Sequence, residues 1–589
     1  MNIHWFNQVW ELNPQLFREI KGKFTRNNLT LAITLSVIIQ LFAYFSIWSR
    51  KASMNLINLS SQYCNAKDIY KQYEQQYTQI QNQLYSSPTG ELPINHQALE
   101  DKLSELSRLM NANCPPDAIN VSLWWRDYWT EMFMLLSVFA FFALIVIGSY
   151  LLINDLATEN RRGTLNFIRL SPQNYRSIFI GKILGVPSLL YLVILLQIPF
   201  HLWAGIAAKI PLFEILSFYG IVIASCAFFY SLSLLFALMT AGLSGFQAWL
   251  GSGSIFAFLM IANNKPIYQD GSDWINLFSP SFILRYLIDE THSSYLGFPF
   301  EHNSIQALKW FEIPLGTSGT LIFLFSLFHF GIWTFWIWQG LKRSFHNPDA
   351  TVFSKQQSYW ITGAFTLANL GFNLQRFELK DEYYVTTAFL WNLILFLGLI
   401  AALSPHRQTL QDWARYRRER VNKKAHLMSD LIQGERSPAV VAIGLNLVIM
   451  ILLFGITILW MGLPDERLII LFAVLLNASL IWMCASLAQL ALLMKTSKRV
   501  LWTPVMVGSV LTLPLMVCFF LGFEPNQNPF PFLFSPFSFV TVQYASASLI
   551  LTAIVSQSMF TILLNLRLTR QLKKAGESTT KALFSGHSV

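Results

Sequence analysis

Two groups of residues in this chain of 589 have types and spacing that could do chemistry. Cys64 and Cys114 could be joined as a disulfide. Glu159-x-x-Arg162-Gly163-Thr164-Leu165, with Phe167, Ile168 and the stop Ser171-Pro172, could make a mixed charged and apolar contact with a partner surface. Neither group is a catalytic constellation. The chain has no G-x-x-x-x-G-K-[ST] run to cradle phosphates, no H-E-x-x-H pair for zinc and no G-x-S-x-G elbow. Cys226, Cys484 and Cys518 lie inside apolar runs without C-x-x-C spacing, so they read as small core residues and no metal centre is expected. His329 falls within an apolar run, where an ionisable residue is either functional or faces a polar neighbour in the bundle. His201 and Glu214 fall at run ends and read as interfacial.

The elements that must position these residues are membrane spans. With 53% apolar and only 13% charged residues, the composition is that of a polytopic membrane protein. The net charge of +10 is spread in short clusters beside apolar runs, the distribution of topology signals rather than of a nucleic-acid face. No removable signal peptide is expected, since the first two dozen residues carry no short apolar core with a cleavage site. Apolar runs fall near 28–48, 129–153, 178–206, 212–241, 244–262, 316–340, 357–373, 384–404, 439–462, 468–493, 500–522 and 545–566. The run at 357–373 is the shortest and most polar, and is required so that the two basic loops flanking it and the next run face the same side. Lys and Arg excess places both termini and the loops 154–177 and 405–437 in the cytoplasm. A bacterial-type plasma membrane is the expected location, although the residues do not themselves distinguish a plasma from an internal membrane.

Residues 1–27 mix Trp5, Trp10, Leu16 and Ile20 with Arg18, Lys21, Lys23 and Arg26, which reads equally as an interfacial amphipathic helix or as a basic flank. Residues 49–128 form the one sizeable polar region. Ile69, Tyr73, Tyr77, Ile80 and Leu84, then Leu99, Leu103, Leu106 and Met110, recur at helical spacing around a turn at Pro88, Gly90 and Pro93. Two antiparallel helices would bring Cys64 and Cys114 together at their base, outside the cytoplasm where a disulfide is permitted.

Short matches recur in corresponding slots. Asn13-Pro14 and Asn347-Pro348 precede the first and seventh runs, and Ser171-Pro172 and Ser437-Pro438 close the loops before the third and ninth. Leu277-Phe278-Ser279-Pro280 and Leu533-Phe534-Ser535-Pro536 lie between the last two runs of each half. The reading is two parallel six-span repeats, 28–341 and 342–567, followed by a basic tail at 568–589.

Asn13-Pro-x-x-x-Arg18-Glu19, Glu159-x-x-Arg162-Gly163-Thr164-Leu165, Leu170-Ser171-Pro172 and Gly181-Lys182-x-Leu184-Gly185 together resemble the permease subunit of type 2 ATP-binding-cassette (ABC) exporters. The resemblance covers roughly residues 10–290. It implies an elbow helix before the first span and a coupling helix between the second and third that docks on a separate ATPase. It further implies ATP and Mg bound by that partner, two ATPase subunits per chain and no cofactor in this chain. The second loop departs from the pattern: it has a basic run, Arg415 to Lys424, and then Asp430 to Pro438, with Glu435, Ser437 and Pro438 as the corresponding contact residues.

The residues of the first loop support a docking role on physical grounds. Asn154 or Asp155 could cap a helix with Glu159 in its early turns, and Leu165, Phe167, Ile168 and Leu170 suit a short helix against a membrane or a partner groove, ended by Pro172. The expected fold is thus all-α, with about twelve transmembrane helices and one extracytoplasmic helical hairpin. The hairpin is a further place for a partner. The expected function is that of an export permease, not an enzyme, in contact with membrane lipids and not with nucleic acid. Two alternatives stand beside it: a polytopic enzyme acting on lipid-linked substrates, with Asp289, Glu290 and His292 as the nearest acidic and basic cluster, and a secondary transporter. No substrate is selected by these residues.

Overall fold

The computed structural model describes residues 13–51, 57–85, 96–240, 245–265, 267, 271–291, 305–373, 382–419, 427–460, 467–496 and 498–576. These residues form an all-helical membrane protein, with isolated β-bridges as their only extended pairing. Among them, nine helices are long and apolar enough to cross a membrane, and a tenth does so if the pair Thr387–Leu403 and Arg407–Arg418, bent by 66°, is one span. A large part of their surface is apolar and outward-facing, as at Phe42, Phe45, Phe519 and Phe520, which is the expected face toward lipid.

The helix Lys355–Asn373 is not among the nine, for a physical reason. Ser358, Thr362, Thr366, Asn369 and Asn373 make one fully buried polar stripe along it. Thr362 Oγ1 donates to Asn446 at 2.8 Å, Asn446 donates to Ser358 at 2.9 Å, and Asn369 donates to the Ala388 carbonyl at 2.9 Å. Hydrogen bonds between helices replace apolar contact here, which lowers hydropathy without exposing a polar group.

Two large buried apolar clusters form the core: one runs from Ala43 to Phe345 with Val352 and Ala402, the other from Ile361 to Ala553. The Leu-Phe-Ser-Pro segments are folded alike. Ser279 N donates to Asn276 O at 3.0 Å and Phe282 N to Ser279 O at 3.1 Å; Ser535 N donates to Phe532 O at 2.9 Å and Ser538 N to Ser535 O at 3.2 Å.

Several expectations are corrected. The helix that carries the second span does not end at Ile153: one rod runs from Val121 to Arg161, interrupted only by a π-helical turn at Ala143–Ile147. Tyr230 causes the interruption, since its hydroxyl donates to Leu144 O at 2.6 Å and a Cβ on Gly148 would lie 2.3 Å from that hydroxyl. Asn154 and Asp155 are therefore mid-helix and cap nothing, and Glu159 lies in the last turn rather than the first. The third span is not continuous either. It breaks into Tyr175–Gly185, Ser188–Leu195 and Ile198–Ala207 around Pro187 and Pro199, and only Ser188–Ala207 has the length and apolarity of a span. Trp274 and Phe282 are buried in an apolar cluster with Phe372.

At the base of the hairpin, Leu59 N donates to Ala112 O at 2.9 Å and Asn120 N to Tyr63 O at 2.8 Å, aligning the two strands of chain. Cys64 and Cys114 are bonded there with Cα atoms 5.9 Å apart. The helices above the base are Lys67–Tyr85 and His96–Met110.

Candidate functional site

The elbow helix Pro14–Lys21 starts where Asn13 accepts from Gln15 N at 3.1 Å and Leu16 N at 3.2 Å, with Pro14 at its first position. Asn13 also donates to Ser177 O at 2.8 Å, fastening the elbow to the helix Tyr175–Gly185. Gly181 and Gly185 are why the two helices can approach so closely. A Cβ at Gly181 would lie 2.9 Å from the Gln15 Cβ, and one at Gly185 would lie 2.5 Å from the Glu19 Cβ. Small residues four apart are the usual device for close helix contact in membranes.

Between these glycines stands Lys182, with no exposed surface. Its ammonium is 2.6 Å from Asp155, 2.8 Å from Glu159 and 3.6 Å from Glu19. Arg18 pairs with Glu159, and Lys23 donates to Gly185 O at 3.2 Å and Val186 O at 2.9 Å. Burial lowers the Lys182 pKa, and the three carboxylates more than offset it, so the ammonium is held above its ordinary value. The carboxylates of Glu19, Asp155 and Glu159 lie close enough together to suit a divalent cation, but Lys182 already supplies positive charge there. The elbow, the end of the second span and the entry to the third are thus one charged junction.

The Glu159 to Leu165 motif has a local account. The rod ends at Arg161, and Gly163, at φ 74°, turns the chain in a conformation a side chain resists. Thr164 Oγ1 donates back to Glu159 O at 3.1 Å. A seven-residue helix, Thr164–Leu170, follows, and Ser171 ends it by donating to Ile168 O at 2.7 Å. Leu165 is buried and Ile168 packs against the core, whereas Phe167 is 76% and Leu170 84% exposed.

The expected contact residues therefore divide. Glu159, Leu165 and Ile168 face inward and hold the loop; Arg162, Phe167 and Leu170 face outward. Ile168 is half-buried and packs against the core.

The second loop is built differently around the same kind of group. Buried Lys355 donates to Ser437 Oγ at 2.6 Å, to Leu431 O at 2.8 Å and to Pro438 O at 3.1 Å. Ser437 in turn donates to Asp430 O at 2.5 Å, Glu435 pairs with Arg343 at 2.7 Å, and Tyr359 donates to Ile432 O at 2.7 Å. Ser437 and Pro438 are buried and act as internal anchors rather than outward contacts. The helix they hold, Leu427–Gln433, also has seven residues, and Leu427 and Met428 on it are exposed at 38% and 66%.

Sequence reasoning missed Lys355 altogether and quoted Lys182 only as part of a motif. The available signal was a lysine at the mouth of an apolar run, a position at which an unpaired charge is costly. His201, read as interfacial, is buried. Its ring nitrogens lie 2.7 Å from the Ser137 and Tyr219 hydroxyls. His329 is buried, with Trp274 and Trp333 donating to its Nδ1 at 3.4 and 3.3 Å. The side chains of Asp289 and Glu290, together with His292, lie outside the described residues, as do Trp5 and Trp10. The chain has no match among family models, curated proteins or solved structures.

Proposed function

We propose that the chain is the membrane permease of an ATP-driven exporter of the ABC type, with twelve spans in two parallel halves and hydrolysis in two partner ATPase subunits. The observation that carries this reading is the pair of seven-residue helices, Thr164–Leu170 and Leu427–Gln433. Buried Lys355 donates to Leu431 O within the second, the first follows the rod end at which buried Lys182 pairs with Glu159, and each leaves two apolar side chains exposed. A short rigid helix with an uncovered apolar tip suits docking in a groove of a partner. Lys182 links the elbow to the rod Val121–Arg161, whose end leads into the first tip, so a push on the tip is delivered to the rod and the elbow together. The like-folded Leu-Phe-Ser-Pro turns and the two separate cores support the division into halves. The first tip is the more exposed, which favours it as the stronger coupling contact.

The test is copurification in mild detergent from the native membrane. A separate P-loop ATPase is expected at near two copies per chain. In the variant Phe167→Asp/Leu170→Asp it should be lost, with the chain still inserted and monodisperse. Undiminished copurification from that variant would reject the docking role of this helix, and reproducible absence of any ATPase would reject the exporter reading.

A further inference from the structure

The break in the third span opens a cavity. It has a volume of about 490 Å³ and lies between the broken span, the rod Val121–Arg161 and the helix Leu212–Met239. Its size falls in the range of small-molecule pockets. Its walls are almost wholly apolar, and its mouth is framed by Leu184, Leu195 and Ile223, which are 47%, 58% and 70% exposed toward the hydrocarbon.

Two polar features stand out against that lining. His201 is saturated, with Ser137 and Tyr219 at 2.7 Å on its two nitrogens, so it closes one end without offering a free group. Gln197 also lines the cavity and is 3% exposed, yet its Nε2 has no hydrogen-bond partner among the described residues. An amide donor buried in hydrocarbon without an acceptor is costly, and such groups are rare unless something else supplies the acceptor. The π-turn at Ala143–Ile147 forms the facing wall through Leu144, and such turns recur at functional sites.

We infer that this cavity binds an uncharged, largely hydrocarbon molecule, drawn laterally from the bilayer, whose single oxygen acceptor takes the Gln197 amide proton. An anion has no cation to meet there, since neither Lys nor Arg lines the cavity. A plain alkane would leave the Gln197 amide unmet. Gln197 lies ten residues into the span Ser188–Ala207, about 14 Å along the helix from its start, so the acceptor sits deeper than a charged headgroup can reach. The site lies within one half and stands independently of the transport reading.

The test uses the full chain in phosphatidylcholine vesicles and a neutral photoreactive ketone, 4-hexylbenzophenone, with adducts mapped by mass spectrometry. Adducts on the segment 191–230 are expected to be competed by 9-heptadecanone and not by heptadecane. Gln197→Leu should lower them about fivefold, the worth of one neutral hydrogen bond. Labelling at Phe519 and Phe520, on the outer lipid face, should not change. Ile223→Trp, which narrows the mouth and keeps Gln197, should lower the same adducts if Gln197→Leu does not fold. Equal competition by ketone and alkane, or labelling indifferent to both variants, would overturn the site and leave the cavity as ordinary lipid-facing surface.

Discussion

The Lys355 ammonium lies 2.6 Å from the Ser437 hydroxyl, across 82 residues of chain, and neither residue is exposed. Lys182, in the helix Tyr175–Gly185, pairs instead with Asp155 and Glu159 at the end of the rod that leads into the first short helix. A buried lysine thus holds the second loop directly and reaches the first only through the end of the rod.

Replacing Lys355 by Met removes the donor to three oxygens while leaving the shape of the stem. A loss on the order of 1–3 kcal/mol is expected from acceptors left unmet, read as a lower midpoint of thermal unfolding in detergent. The effect should depend on pH. Burial pushes the Lys355 pKa down to about 8, with Asp430 pulling it partly back, against 10.5 for an ordinary lysine. A folded-state value below the unfolded one means that the charged form burdens the fold. That burden is complete below pH 8, shrinks between 8 and 10.5, and is gone above. The stability of the native chain relative to Lys355→Met should accordingly rise between pH 8 and 10; a flat difference would show that Lys355 does not titrate in that window.

At Lys182 the removal is harsher. Lys182→Met leaves Asp155 without its cation and Glu159 with Arg18 alone, and breaking a buried pair in this way costs about 3–5 kcal/mol. The triple variant Lys182→Met/Asp155→Asn/Glu159→Gln should recover most of that loss. Measured stabilities of the single and triple variants that coincide would show that charge is not what holds the junction.

Gly185→Leu tests the close approach of the elbow. The added side chain must displace Glu19, whose Cβ stands 2.5 Å from the site of the new Cβ, whereas a Cβ at Gly455 or Gly508 meets nothing within 4 Å. Gly185→Leu should weaken a Gln15→Cys/Ser177→Cys cross-link several-fold. Gly455→Leu and Gly508→Leu should leave it intact.

The hairpin disulfide closes a sequence separation of 50. Cys64→Ser/Cys114→Ser should destabilise the hairpin by about 2–4 kcal/mol, chiefly through the freer unfolded chain. Limited proteolysis of the region 57–120 is the readout. The remaining spans should be unaffected, since the bond lies outside them.

Much of the architecture was legible in the chain itself. Long apolar runs with few charges can only be satisfied as helices in a membrane, and that local property placed the nine helices that, among the described residues, are long and apolar enough to cross one, though it also suggested three more. Helical periodicity on either side of Pro88 and Pro93 placed the two hairpin helices and the cysteines at their base. The short helix before Ser171-Pro172 was likewise legible, because turn and stop residues act over a few positions.

What only the tertiary structure decided is which way those residues face. Leu165, Phe167, Ile168 and Leu170 are alike in hydropathy, and the neighbouring core covers only the first and third. Lys182 meets Glu159 at 2.8 Å, and also Glu19 at 3.6 Å because Gly181 and Gly185 admit the elbow, a coincidence of three segments far apart in sequence. Gln197 and His201 lie near one another in the same apolar run, and only packing leaves one without a partner and gives the other two. Hydropathy and period are properties of a short stretch of chain. Burial, pairing and an uncovered tip depend on what distant segments bring alongside, and that is settled only when the helices pack.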